Sequence, residues 1–195
     1  HLYHPLKKAF EIAGASDGAF DPTVMPLVNL WGFGSASPET PTSVKIDSIR
    51  KFIGFSKIKF DDKRITKRDF RVQLDFGGIG QGYAVDVISD FLKSKGIGNF
   101  LVELGGEGIA FGRNLSKDKV WQIAVLAPGS TRDHQVFKAY VEVTNGSFTT
   151  SGNYFNYRVI DGKKYGHTID PKSGYPVQHE LLSASVFADD CATAD

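Results

Sequence analysis

The residues able to do chemistry lie in three short stretches. In the first, Asp75-Phe-Gly-Gly-Ile-Gly-Gln-Gly-Tyr83, glycines 77, 78, 80 and 82 gather just ahead of a predicted helix. Backbone N–H groups without side-chain cover, at the positive end of a helix, suit the oxygens of a diphosphate. The stretch departs from the dinucleotide fingerprint, because Tyr83 stands where the third glycine is required, and it lacks the Gly-Lys-Ser/Thr of a P-loop. The same glycines equally serve a tight strand-to-helix turn with no ligand. In the second stretch, Asp189 and Thr193 are four residues apart. On one face of a predicted helix they present a carboxylate and a hydroxyl to a hard cation such as Mg²⁺, with Asp190 as a fallback ligand. The structural alternative for Asp189 is the N-cap of that helix. In the third, His167-Thr-Ile-Asp-Pro-Lys-Ser-Gly-Tyr-Pro176 combines a histidine and an aspartate with a Pro/Gly loop, a rigid seat for a general base, while Asp170 suits a turn equally well. His1, His4, His134 and His179 are too scattered for a zinc pattern.

The elements that must position these residues are read from periodicity. Leu6, Phe10 and Ala13 predict a helix over 4–14, ended by Gly14. Pro38 and Pro41 bracket a polar connector, after which Val44, Ile46, Ile49, Phe52 and Ile53 form a helical stripe capped by Thr42 or Ser43. Ile58–Phe60 and Phe70–Phe76 alternate around the charged turn at Asp61–Arg64, which predicts a half-exposed hairpin. Ala84, Val87, Ile88, Phe91 and Leu92 predict the buried face of a helix over Tyr83–Lys95, stopped at Gly96. Beyond it, Phe100–Leu104, Val120–Leu126 and Val136–Val143 read as strands, with hairpin turns at Asn145-Gly146 and Asp161-Gly162. The sequons Asn114-Leu-Ser116 and Asn145-Gly-Ser147 are short enough to occur by chance. The fold class expected is α+β, one intertwined unit of antiparallel strands and hairpins with a few helices.

Composition narrows the function classes. A chain of 195 residues and 21.3 kDa, 41% apolar and 23% charged, can build an ordinary hydrophobic core. A net charge of +1 lacks the overall basic field that drives nonspecific nucleic-acid binding, so no nucleic-acid partner is expected. Cys191 is the single cysteine, which forbids an internal disulfide and a multi-thiolate zinc site. No apolar run approaches the roughly 20 residues of a membrane span. Both ends of the sequence look trimmed.

Six ordered blocks together resemble one family: Gly18-Ala-Phe-Asp-Pro-Thr-Val24 with Trp31-Gly-Phe-Gly34; Asp75 through Asp86; Leu101-Val-Glu-Leu-Gly-Gly106; Thr150-Ser-Gly152; His167-Thr-Ile-Asp-Pro171; and Ala188-Asp-Asp-Cys-Ala-Thr193. These are similar to the ApbE-type flavin transferases, also called FAD:protein FMN transferases and formerly thiamine-biosynthesis lipoproteins. The resemblance spans nearly all of residues 1–195 and implies a partial transferase domain, lacking amino- and carboxy-terminal parts of the family domain. It implies Mg²⁺-dependent transfer of the FMN moiety of FAD to a Thr or Ser hydroxyl of an acceptor flavoprotein, such as a membrane redox-complex subunit, with release of AMP. It further implies FAD contacts at Asp21, Asp75, Gly77, Gly78 and Gln81, Mg²⁺ at Asp189, Thr193 and the Gly78 carbonyl, and His167 as general base. The family often has Lys or Glu where this chain has Gln81. The implied location is the bacterial periplasm or the periplasmic face of the inner membrane, with membrane contact only through a lipid anchor preceding His1. An FAD pyrophosphatase yielding FMN and AMP, or an FAD-binding module without turnover, are the alternatives.

Overall fold

The computed structural model describes residues 2–35, 41–131, 133–152 and 156–195, so the readings placed on His1 and Pro38 fall outside the described residues. In chain order the first half holds α1 (Tyr3–Ala15), α2 (Met25–Leu30), α3 (Ser43–Arg50), β1 (Ile58–Phe60), β2 (Ile65–Lys67) and α4 (Gly80–Ser94). The second half is mainly strands: β3 (Phe100–Leu104), β4 (Glu107–Phe111), β5 (Arg113–Asn114), β6 (Lys119–Leu126), β7 (Phe137–Val143), β8 (Asn145–Gly152), β9 (Tyr157–Ile160), β10 (Lys163–Gly166) and β11 (Ser183–Ala188), before the short α5 (Cys191–Ala194). The class is α+β. The residues gather into two compact units interleaved along the chain: His1–Phe76 with Asn156–Glu180, and Gly77–Phe155 with Leu181–Asp195.

In the first unit, α1 buries Leu6, Ala9 and Ala13, with Phe10 of the expected stripe only half-buried, and α3 starts where Thr42 accepts the Lys45 N–H at 3.3 Å. The core joins Leu27 and Trp31 to Ile46, Ile53 and Ile169. Burying such side chains stabilises the unit by about 1.5–3 kcal/mol each. The Trp31 indole donates to the Gly174 carbonyl at 2.9 Å, so the carboxy-terminal loop of this unit closes on its amino-terminal half. The hairpin expectation needs correcting. β1 pairs with β2, Phe60 facing Ile65, because the Asp61 carboxylate accepts the Lys63 and Arg64 N–H groups at 2.9 and 2.8 Å and closes the turn tightly. Phe70–Phe76, expected as the second strand, is irregular apart from a single bridge between Gln73 and Val24. β9 and β10 form the hairpin expected at Asp161-Gly162, both turn residues having positive φ (48° and 76°).

The second unit carries a four-stranded antiparallel sheet of order β11-β8-β4-β3 and a three-stranded one of order β5-β6-β7. Asn145-Gly146 is not a hairpin turn. It opens β8, facing Phe111 and Ala110 of β4, and the Asn145 amide oxygen accepts the Gly112 N–H at 3.0 Å, because the chain changes sheets on leaving β7. β4 has no apolar-polar alternation to announce it; glycine is needed at its second residue, Gly108, because a Cβ there would lie 2.3 Å from the Phe148 ring. The buried face of α4 also differs from the expected stripe. Gly82, Val85 and Ser89 are buried, whereas Val87, Ile88 and Phe91 are 42–59% exposed. Glycine and serine give no hydropathy signal, so periodicity selected the neighbouring stripe.

Candidate functional site

In the second unit, Gly77 and Gly78 form an exposed turn, and α4 begins at Gly80 with no side-chain cap and no acidic residue in its first turn. That leaves the positive end of a 15-residue helix without a resident anion on its own first turn. Gln81 is exposed, and a Cβ on Gly105 would fall 2.2 Å from its Nε2, so the Gln81 amide lies over the Gly105 turn, where φ is 74°. Gly82 has a packing role: a Cβ there would sit 2.4 Å from the Cys191 carbonyl oxygen, so only glycine lets α5 approach α4 this closely.

The α5 segment corrects the reading of Asp189 and Thr193 as two positions on one helix face. Asp189 is exposed and lies before the helix, which starts at Cys191. The N-cap is Asp190, which accepts the Thr193 N–H at 2.8 Å and the Thr193 hydroxyl at 2.7 Å. Two N–H groups of the helix start point elsewhere: Cys191 and Ala192 donate to the Asp86 carboxylate at 2.7 and 2.9 Å. Burial nonetheless pushes the Asp86 carboxyl upward, helped by Asp190 and Asp90, against those two bonds.

Sequence reasoning gave no role to Asp195 and Glu107, yet the structure gives each an unmet electrostatic need. Asp195 Oδ2 accepts the Gly82 N–H at 2.9 Å, so a carboxylate stands at the glycine segment. Its pKa is raised, first by burial and then by the negative charge of Glu107. Glu107 Oε1 takes a long bond from the Thr149 hydroxyl at 3.3 Å, and Oε2 is buried with no hydrogen-bond partner among the described residues. Two mutually repelling carboxylates, one with an orphan buried oxygen, are the donor chemistry a hard divalent cation takes. Among the described residues there is no group of three or more His, Cys, Asp or Glu side chains placed to bind a metal by themselves. Cys191 is buried, and burial together with Asp86, Asp195, Glu107 and Asp190 pushes its thiol up to about 12, so it is not a nucleophile. The only sequence signal for Glu107 is its place after Gly105-Gly106, and nothing in linear spacing marks Asp195.

The first unit holds the other expected residues. Asp21 is buried and its carboxylate is fully engaged: Oδ1 accepts the Thr23 N–H at 2.8 Å and the Thr23 hydroxyl at 2.6 Å, and Oδ2 accepts the Phe55 N–H at 2.9 Å. Thr23 Oγ1 in turn accepts the Gly54 N–H at 2.8 Å, so Asp21 ties the Gly18–Val24 loop to the end of the α3 segment. The Asp75 N–H donates to the Pro22 carbonyl at 2.7 Å, which fixes the entry to the glycine turn. His167 is half-buried, its Nδ1 3.2 Å from the Asn156 carbonyl and its ring edge-on to Phe33 at 6.3 Å. If Nδ1 carries the proton toward that carbonyl, Nε2 is left as an acceptor, the tautomer a general base needs. Asp170 is a turn residue: its carboxylate accepts the Lys172 and Ser173 N–H groups at 2.9 and 3.1 Å. Although burial raises its pKa, those bonds and the Ser173 hydroxyl lower it overall.

The chain is 37% identical over 193 residues to the FAD:protein FMN transferase of Vibrio cholerae, covering 97% of this chain and 57% of that protein. It is also 37% identical over 196 residues to the Haemophilus influenzae protein of the same name, covering 97% of this chain and 56% of that one. The crystal structure of the ApbE protein of Thermotoga maritima superposes with a TM-score of 0.88 at 34% identity, over 99% of this chain and 62% of that one. The chain thus spans a little over half the length of the curated relatives it matches. The family model described as "ApbE family" matches residues 1–195 in full, and the chain belongs to that family.

Proposed function

We propose that this chain carries out part or all of an FAD:protein FMN transfer, in which a Thr or Ser hydroxyl of an acceptor flavoprotein attacks the FMN-side phosphorus of FAD and AMP leaves. The support is the family membership, together with one observation on this chain: the start of α4, whose N-cap residue gives no side-chain bond, beside the exposed Gly77-Gly78 turn, with Asp195 bonded to Gly82. Backbone N–H groups there are suited to hold diphosphate oxygens before and during attack. FAD contacts at Asp75, Gly77, Gly78 and Gln81 belong to this reading. Asp21 serves the flavin indirectly, by shaping the loop it ties down.

The chemistry needs charge neutralised on the diphosphate, which Mg²⁺ supplies when bound. The donor set fits such an ion: we assign it to Asp195 and Glu107, since Mg²⁺ takes one or two carboxylates and completes its shell with substrate phosphates and water. The set implied by the resemblance, Asp189, Thr193 and the Gly78 carbonyl, is the competing assignment. His167 is the base that removes the acceptor hydroxyl proton at Nε2, a role worth roughly 10²–10⁴-fold in rate. The periplasm or the periplasmic face of the inner membrane is the compartment that goes with this reading.

The test is mass spectrometry of a candidate acceptor incubated with the protein, FAD and Mg²⁺. A mass gain of one FMN ester with matching AMP is the expected result; free FMN and AMP with unmodified acceptor would make the protein a pyrophosphatase. His167→Ala should keep FAD binding and slow transfer at least about 10²-fold.

A further inference from the structure

Residues 51–71 hold eight Lys and Arg against three Asp, a local excess of five positive charges in a chain whose net charge is +1. The β1–β2 hairpin and the turn after it display this charge. Lys59, Lys63, Arg64 and Arg68 are exposed and have no ion-pair partner among the described residues. At the following turn stands Phe70, 87% exposed, the only exposed large apolar side chain between residues 51 and 72. Its exposure is built. Arg71 grips the Asp69 carboxylate through Nε at 3.0 Å and a second nitrogen at 2.6 Å, and Lys67 Nζ holds the Phe70 and Val72 carbonyls at 3.1 and 2.8 Å. The Arg71 guanidinium also lies 4.6 Å over the Phe52 ring. The backbone beneath Phe70 is therefore pinned while its ring projects.

A protein–protein interface needs a cluster of apolar side chains at its centre. A single exposed aromatic on a pinned backbone, in the same short segment as four cations without ion-pair partners among the described residues, suits instead the headgroup layer of a bilayer, where one ring inserts and cations on long stems meet anionic lipids. We propose that the β1–β2 hairpin and the Phe70 turn form a docking surface for an anionic lipid bilayer. This surface is independent of the transferase reading, and its test reads no activity.

The test is co-sedimentation of the protein with vesicles of about 30% phosphatidylglycerol in phosphatidylcholine, against pure phosphatidylcholine, at low and high NaCl. The protein should partition to the anionic vesicles only, and release as salt rises. Arg64→Glu with Arg68→Glu should weaken partitioning at least about tenfold, since each cation near such a surface is worth roughly fivefold. Phe70→Ser should weaken it about threefold, and Phe70→Trp should show a blue shift of its added emission with anionic vesicles. Unchanged unfolding midpoints establish that the variants fold. Failure of the wild type to sediment, or equal sedimentation of all variants, overturns the proposal. So does capture by soluble poly-glutamate that depends on Arg64 and Arg68 but not on Phe70, which would mark a surface for an acidic protein instead.

Discussion

Asp21 in the first unit and the Asp195–Glu107 pair in the second are both carboxylate sites recessed from solvent, and they are built on opposite terms. Asp21 accepts three hydrogen bonds within the fold. Asp195 accepts one, from Gly82, and is pushed up by burial and by Glu107, whose Oε2 has no partner among the described residues. A carboxylate whose lone pairs are met by N–H and O–H groups holds the chain together. One with unmet lone pairs is open to a cation, the role we propose for this pair. The resemblance implies Asp21 among the flavin contacts and says nothing of Asp195; the hydrogen bonds give Asp21 a structural task in its loop.

The sharpest break comes at Asp21. Replacing it by Ala orphans the Thr23 and Phe55 N–H groups, at about 1–3 kcal/mol each, so urea denaturation should show a loss of about 3 kcal/mol with no dependence on Mg²⁺. The pair in the second unit should behave in the opposite way. Mg²⁺ at about 100 times its dissociation constant should stabilise the wild type by roughly 2.7 kcal/mol. Asp195→Asn and Glu107→Gln should abolish that gain without weakening the metal-free protein, while Asp189→Asn keeps it. Loss of the gain in Asp189→Asn alone would return the metal to the competing set.

Gly82→Ala is the next largest effect. Its Cβ would meet the Cys191 carbonyl at 2.4 Å and Asp195 Cβ at 2.8 Å, which should cost about 2 kcal/mol in thermal denaturation and reduce the Mg²⁺ response together with it. The smallest is a pH effect at Asp86. Its folded pKa is raised, first by burial, so the unfolded chain ionises before the folded one. The stability it contributes is present in full below the ordinary carboxylate value near about 4 and is lost as pH climbs through the raised value. The difference in unfolding free energy between wild type and Asp86→Asn should therefore fall with rising pH over that window, by under about 1.4 kcal/mol per pH unit. A difference that rises would reverse the sign of the argument.

Local patterns made α1, α3, β1, β3, β6, β7 and the Asp161-Gly162 hairpin legible in the sequence, because each rests on periodicity, capping or turn chemistry within a dozen residues. The six motifs in order were enough to indicate the family for the same reason: they are short, contiguous and chemically distinctive. Tertiary structure alone decided what depends on distant chain segments. β4 is placed by a ring from β8 stacked on Gly108, and the burying face of α4 by a glycine and a serine that carry no hydropathy. The start of α5 is set by the Asp190 cap and the reach of Asp86 across more than a hundred residues. That two-residue shift moved Asp189 off the helix and brought Asp195 to the glycine segment, a change linear spacing cannot register, since both acids sit in the same run of eight residues and only the packing of α5 on Gly82 tells them apart.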